Sequence, residues 1–223
     1  MKLTKYLILY FILNAFFVFG QSDTTKLVKY SPSFKFTEGL YLNFAQVKEN
    51  KPLLKSHIVT MVDIRDINFF EKILQNKIIT YYNDYGIKQE IKTKNLWGYC
   101  RRGTLYIQIE GEFNRIPIIG SICHFVANVA VIRESAYNPY DPYSYYGSTL
   151  RQQQVTYELQ QFILDFESGK IMQYNSKTLE VIFMRDAELY QEYTALRKKK
   201  KRQLKFLYLR KYNEKHPLYI PVY

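Results

Sequence analysis

Asp165 and Glu167 stand two residues apart on one face of an extended segment. Paired carboxylates held about 5–10 Å apart can hydrolyse a glycosidic bond. The same pair brackets the turn Glu167-Ser168-Gly169, where acids are commonly solvated, and among 20 acidic residues one such pair arises by chance. Cys100 precedes Arg101-Arg102, and cations beside a thiol favour the nucleophilic thiolate. On a strand, however, successive side chains point to opposite faces, and no helix begins there to assist. The three histidines, His57, His124 and His216, do not make a metal site by spacing. Cys123 and His124 are adjacent, so on a strand they cannot share an ion. Gly-x-Ser-x-Gly is absent, as is a Gly-rich phosphate loop ending in Lys-Ser/Thr. The pattern therefore predicts no catalytic residue, no metal and no cofactor. A concave pocket gathering Trp97, Arg115, His124 and the acids around Asp165 would point to a conventional active site.

Two other groupings suit binding. Lys198, Lys199, Lys200, Lys201 and Arg202 form an unbroken basic run, which is attracted to polyanions in a salt-dependent way. Its plain alternative is a solvated helix face. Tyr137, Tyr140, Tyr143, Tyr145 and Tyr146 alternate with Pro139 and Pro142 within residues 135–148. Proline lacks a backbone donor and is excluded from a central strand, so this segment reads as an exposed loop. Its rings could stack on sugars or dock a protein. The plain alternative is a tolerated surface insertion.

The elements that must hold these groups are mostly short strands. Residues 34–44, 78–82, 87–93, 96–101, 104–110, 113–119, 122–132, 155–166, 170–174 and 178–184 read as strands. Breaks fall at Tyr85-Gly86, Arg102-Gly103, Glu110-Gly111 and Gly120. Asn50-Lys51-Pro52 signals a turn, and Asp66–Gln75 has helical spacing of Ile67, Phe70, Ile73 and Leu74. Gln21–Ser33 is polar and expected to be frayed. A basic C-terminal helix is expected from Asp186, a good N-cap, to Tyr212, with a break in its apolar stripe at Lys200. Leu189, Tyr193, Leu196, Leu204, Leu207 and Tyr208 would face the sheet. The tail from His216 to Pro221 reads as extended.

Residues 1–20 read as a secretory signal peptide. Lys2 and Lys5 precede the nearly all-apolar run Tyr6–Phe19, which ends at the small residue Gly20. The run is short for a membrane span, which wants roughly 20 apolar residues. Gln21 is not the cysteine of a lipid anchor. Export removes Lys2 and Lys5 from 32 basic residues, leaving 30 against 20 acidic ones, about +10 for residues 21–223. Outside the cytoplasm nucleic acid is a poor partner for the basic run. Lipid headgroups, other envelope phosphates and acidic glycans are better ones. Export also permits a Cys100–Cys123 disulfide. Two separate buried thiols is the favoured reading, because sequence alone cannot bring the two side chains within bonding range.

The stretches Phe36-Thr-Glu-Gly-Leu-Tyr41, Asn50-Lys-Pro52, Trp97-Gly98-Tyr99, Gly103-Thr-Leu-Tyr-Ile107 and Phe113-Asn-Arg-Ile116 form a set. Ile119-Gly120, His124-Phe125, Arg185-Asp186, Glu188-Leu189-Tyr190 and Tyr212-Asn-Glu-Lys-His-Pro217 continue it. Together they resemble a group of secreted proteins of Bacteroidota-type bacteria with no assigned activity. The resemblance implies a single secreted domain over residues 21–223 and supplies no catalytic residue. It also implies small polar residues at the positions of Cys100 and Cys123, which argues against catalytic thiols.

The expected fold class is α+β: a mainly antiparallel sheet, curled or two-layered, with a long basic C-terminal helix. The expected function is non-enzymatic binding by an exported protein, to an anionic envelope surface, a glycan or another envelope protein. A glycan hydrolase and a carrier of a small apolar ligand inside a barrel are the alternatives.

Overall fold

A computed structural model describes residues 26–134 and 153–223. The expected signal peptide and the Tyr/Pro-rich segment with Tyr137, Tyr140, Tyr143, Tyr145 and Tyr146 lie outside the described residues. The chain has an α+β fold whose antiparallel sheets are not closed into a barrel. The hollow interior that a small apolar carrier requires is not formed by the described residues.

Strands β1 (Lys26–Lys29) and β12 (Tyr219–Val222) pair with each other. Strands β2 (Gly39–Tyr41), β6 (Gly98–Arg101), β7 (Thr104–Ile109) and β8 (Glu112–Arg115) form a four-stranded sheet in the order β2-β6-β7-β8. A smaller sheet contains β3 (Ile58–Val59), β4 (Ile78–Tyr82) and β5 (Lys88–Lys92). The last sheet is dominated by two long strands, β9 (Ile122–Glu134) and β10 (Gln153–Asp165), with β11 (Ile171–Gln173) along the base of β10. The helices are α1 (Phe44–Glu49), α2 (Phe69–Leu74), α3 (Ser176–Phe183), α4 (Ala187–Thr194), α5 (Lys198–Gln203) and α6 (Lys205–Lys215).

Turn chemistry explains the four-stranded sheet. Arg102 and Gly103 both have positive φ, as do Glu110 and Gly111. Two such residues in succession make the tight hairpin turn whose twist matches the flanking strands. Gly98 is required for a different reason: a Cβ there would lie 2.0 Å from the Tyr106 carbonyl oxygen.

The two larger sheets pack face to face, which is the two-layer arrangement. Cys100, Leu105 and Ile107 meet Cys123, Phe125, Ala127 and Leu164 in a first core. Each large side chain removed from water there stabilises by roughly 1.5–3 kcal/mol. The opposite face of the four-stranded sheet presents Leu40, Tyr99 and Tyr106 to α2 and the small sheet, forming another core with Phe70 and Ile79. The opposite face of β9–β10 presents Ile122 and Ile163 to α3, α4 and α6, where Leu179, Phe183, Tyr193 and Leu209 complete the remaining core. The β9–β10 ribbon is thus a wall shared by two cores.

Several expectations are corrected. Thr178–Met184 is not a strand: Asn175 accepts from the Thr178 N–H and starts α3, and Leu179, Ile182 and Phe183 fall on one helical face. The extended stretch from Phe34 shortens to β2, because Asn43 caps α1 by accepting from the Gln46 N–H. Lys26–Lys29 is a paired strand where a frayed segment was expected. The basic C-terminal helical region is present in three pieces, parted around Ala195–Arg197 and at Leu204. Leu209 takes the buried position expected of Leu207, which is exposed.

Candidate functional site

The Asp165–Glu167 pair, read upward from its elements, is an anchor. Asp165 ends β10 with its side chain only 2% exposed. Arg185, in the turn between α3 and α4, donates to both its oxygens, at 2.7 and 3.2 Å, and reaches Glu167 at 3.4 Å. The Ser168 hydroxyl donates to Asp165 at 2.7 Å, and the Glu167 N–H donates at 3.2 Å. Burial pushes the Asp165 carboxyl pKa up, but the Arg185 and Ser168 hydrogen bonds outweigh it and the net direction is down. A general acid needs a raised value. Asp165 is therefore held ionised, and both carboxylates serve one guanidinium.

A second polar knot adjoins it. Asp186 caps α4 by accepting from the Leu189 N–H at 3.0 Å, as its position in sequence suggested. Lys215 and His216 Nε2 each approach it at 2.9 Å. The cap hydrogen bond, then Lys215 and His216, hold its carboxyl well below the usual range, against the opposing effect of burial. The Ser121 hydroxyl donates to the His216 backbone carbonyl and not to its ring. Ser121, His216 and Asp186 therefore do not form a relay that activates a hydroxyl nucleophile. Ser121 and His216, with Asp165, Glu167, Arg185 and Tyr212, line an open cleft of about 340 Å³, in which both carboxylates are bound to Arg185.

Trp97, Arg115 and His124 are not gathered around Asp165. Trp97 packs on Tyr41 and Phe44 in the first core. Arg115 is exposed at the end of β8. His124 lies on the helix-covered face of the ribbon, 3.2 Å from Gln161 and edge-on to Tyr174 and Phe206. Burial lowers its pKa; the Gln161 hydrogen bond opposes this and the Lys205 charge adds to it. Cys100 and Cys123 are both buried and unbridged. Burial raises each thiol to about 12, so neither is a ready nucleophile. Among the described residues no group of three or more His, Cys, Asp or Glu is gathered that could hold a metal ion.

Many residues in the stretches that carry the resemblance meet one another. The Thr37 N–H and the Tyr41 hydroxyl both donate to Asn50 Oδ1, at 2.9 and 3.1 Å. The Trp97 N–H donates to the Tyr41 carbonyl. A Cβ at Gly120 would strike Asn213, whose amide bonds Ile122 on both backbone groups. Asp186 and His216 join two more stretches. These residues tie the fold together.

The basic run lies on α5. Lys201 is spent internally, with its ammonium 2.9 Å from Glu180 on α3 and over the Tyr193 ring. Lys198, Lys199, Lys200 and Arg202 are exposed, with no ion-pair partner among the described residues. From Tyr193 to Asn213 the sequence has nine cations and no acid. Phe206 and Leu207 follow at once and are also exposed.

Sequence reasoning missed one surface. The β9–β10 register puts Ala130, Ile132, Val155, Tyr157 and Leu159 on one face, continuous with His124 and Gln161. Ile132, Val155, Tyr157 and Leu159 are 60, 55, 73 and 72% exposed. The other face carries Thr156, Glu158 and Gln160, partly covered, with Glu158 paired to Arg133. The alternation of Val155, Tyr157 and Leu159 was visible, but which face the body would cover was not. No family model, curated protein or solved structure matches the chain. No helix among the described residues is long and apolar enough to cross a membrane.

Proposed function

We propose that the chain is an exported, non-enzymatic binding protein that docks on an anionic surface of the cell envelope through α5. The observation that carries this reading is the set of exposed cations Lys198, Lys199, Lys200 and Arg202, unpartnered among the described residues, in a stretch without a single acid. The Lys2–Gly20 pattern supports export, as does the resemblance to secreted proteins.

Each cation brought to an anionic membrane surface is worth about 1 kcal/mol. Replacing the four with Gln removes about 4 kcal/mol, close to a thousandfold in affinity. Co-sedimentation with vesicles of phosphatidylglycerol and phosphatidylcholine in equal parts tests this. The native protein binds and is released as salt rises, and the Gln variant stays in solution. Equal retention of both proteins at low salt refutes the reading.

A further inference from the structure

The outer half of the β9–β10 ribbon is built the wrong way round for a water-exposed arm. From Asn128 to Ile132 and from Val155 to Leu159 the outward face has no charged side chain, while the face toward the body carries Glu158 and Arg133. This arm extends roughly 20 Å beyond the part covered by helices, at about 3.3 Å per residue. A two-stranded ribbon is marginal in water alone, and an open apolar ribbon face invites association.

Charge says what covers it. Phe206, directly after the basic turn, packs its ring 4.8 Å from that of His124, which sits on this same ribbon face. Lys205 donates to the Tyr174 carbonyl beside the ribbon base. The apolar stripe Val155–Tyr157–Leu159 therefore continues the ribbon face on which Phe206 packs, and the exposed cations of α5 precede Phe206 by four to eight residues in the chain. An apolar face together with cations that have no ion-pair partner among the described residues suits the boundary of an anionic lipid bilayer, where headgroups take the cations and the acyl region takes the side chains. A second copy fits less well, since each exported chain, without Lys2 and Lys5, brings 30 basic against 20 acidic residues, about +10.

We propose that the outward face of the arm lies in the headgroup–acyl boundary of an anionic bilayer, an inference that rests on the docking role of α5. The arm lies flat and does not span. β11 pairs with Phe162–Leu164 and the Tyr174 N–H donates to the Gln161 carbonyl, so the β10 edge open to headgroups or water runs from Gln153 to Gln160.

The test pairs two variants of the full chain, Y157S/L159S and K198Q/K199Q/K200Q/R202Q, on the phosphatidylglycerol vesicles and on soluble polyphosphate. Both altered faces are exposed, so melting temperatures stay near the native value, and a circular-dichroism melt checks this. The serine variant is expected to lose at least about tenfold in vesicle affinity while keeping native affinity for polyphosphate. Native vesicle binding by the serine variant overturns the arm's role and leaves the α5 reading standing. Loss of α5 dependence on both probes overturns the two together. A native dimer that the serine substitutions dissociate, with vesicle binding unchanged, assigns the face to a second copy and also overturns the inference.

Discussion

Replacing Arg185 by Met should be among the most costly single changes outside the cores. The substitution keeps the apolar stem and deletes both donors to Asp165, leaving a carboxylate of 2% exposure with Ser168 and the Glu167 N–H alone. Removing one partner of a buried pair costs roughly 3–5 kcal/mol. Arg185 is itself 42% exposed, so water already shares its charge and the lower figure, about 3 kcal/mol, applies. For a chain of this size that is a fall of about 6–12 °C in Tm. Asp165→Asn added to Arg185→Met removes the orphaned charge and should restore about 2 kcal/mol. The pH dependence has a definite sign. The folded pKa of Asp165 is lowered, so the native pair stabilises fully above the unfolded carboxylate value of about 3.9 and fades as pH falls through the folded one. In the variant the buried carboxyl takes up its proton more readily. The gap between native and variant should narrow from pH 7 to pH 3, measured by urea unfolding. A gap below about 0.5 kcal/mol at pH 7, or one constant across that range, refutes the anchor.

Asp186→Ala removes the α4 cap together with the contacts to Lys215 and His216, and should cost about 2 kcal/mol at neutral pH. Its folded pKa is also lowered, so this contribution fades in acid; unchanged urea unfolding at pH 7 contradicts it. Gly98→Ala must push β6 from β7 because its Cβ meets the Tyr106 carbonyl, and a cost of about 1–3 kcal/mol or more should appear as a lower Tm and yield. Cys100 and Cys123 should react with a thiol reagent only in denaturant, and reduction should leave electrophoretic mobility unchanged; a shift would demonstrate a disulfide.

What could be read in advance had local causes. Arg102-Gly103, Glu110-Gly111 and the Asp186 cap each act over a few residues, and the structure uses them as the sequence suggests. Thr178–Met184 reads as a strand because Val181-Ile182-Phe183 is a β-rich run, whereas the Asn175 cap and the spacing of Leu179, Ile182 and Phe183 make Ser176–Phe183 a helix. β1 failed because its only reason to order is β12, more than 180 residues away. The polar anchor was half legible. Asp165 and Glu167 stood out as a pair, but the cation that claims them arrives from the turn after α3, itself misread. The α5 cations stood out by composition, whereas the apolar face of the arm depends on which side the body covers, a tertiary fact.

The shared ribbon gives one pair of strands two stabilities. At its base, between Ile122 and Ala127, amides are enclosed by a core on each side and should exchange with solvent only when the whole body opens. Beyond Asn128 the same strands have one open face, and amide exchange there should pass through local fraying that leaves both cores intact. The boundary between slow and fast exchange should therefore fall within single strands and not between elements. Whatever covers the outer face would move that boundary outward along β9 and β10, so a partner's footprint would be written as protection of the distal amides alone.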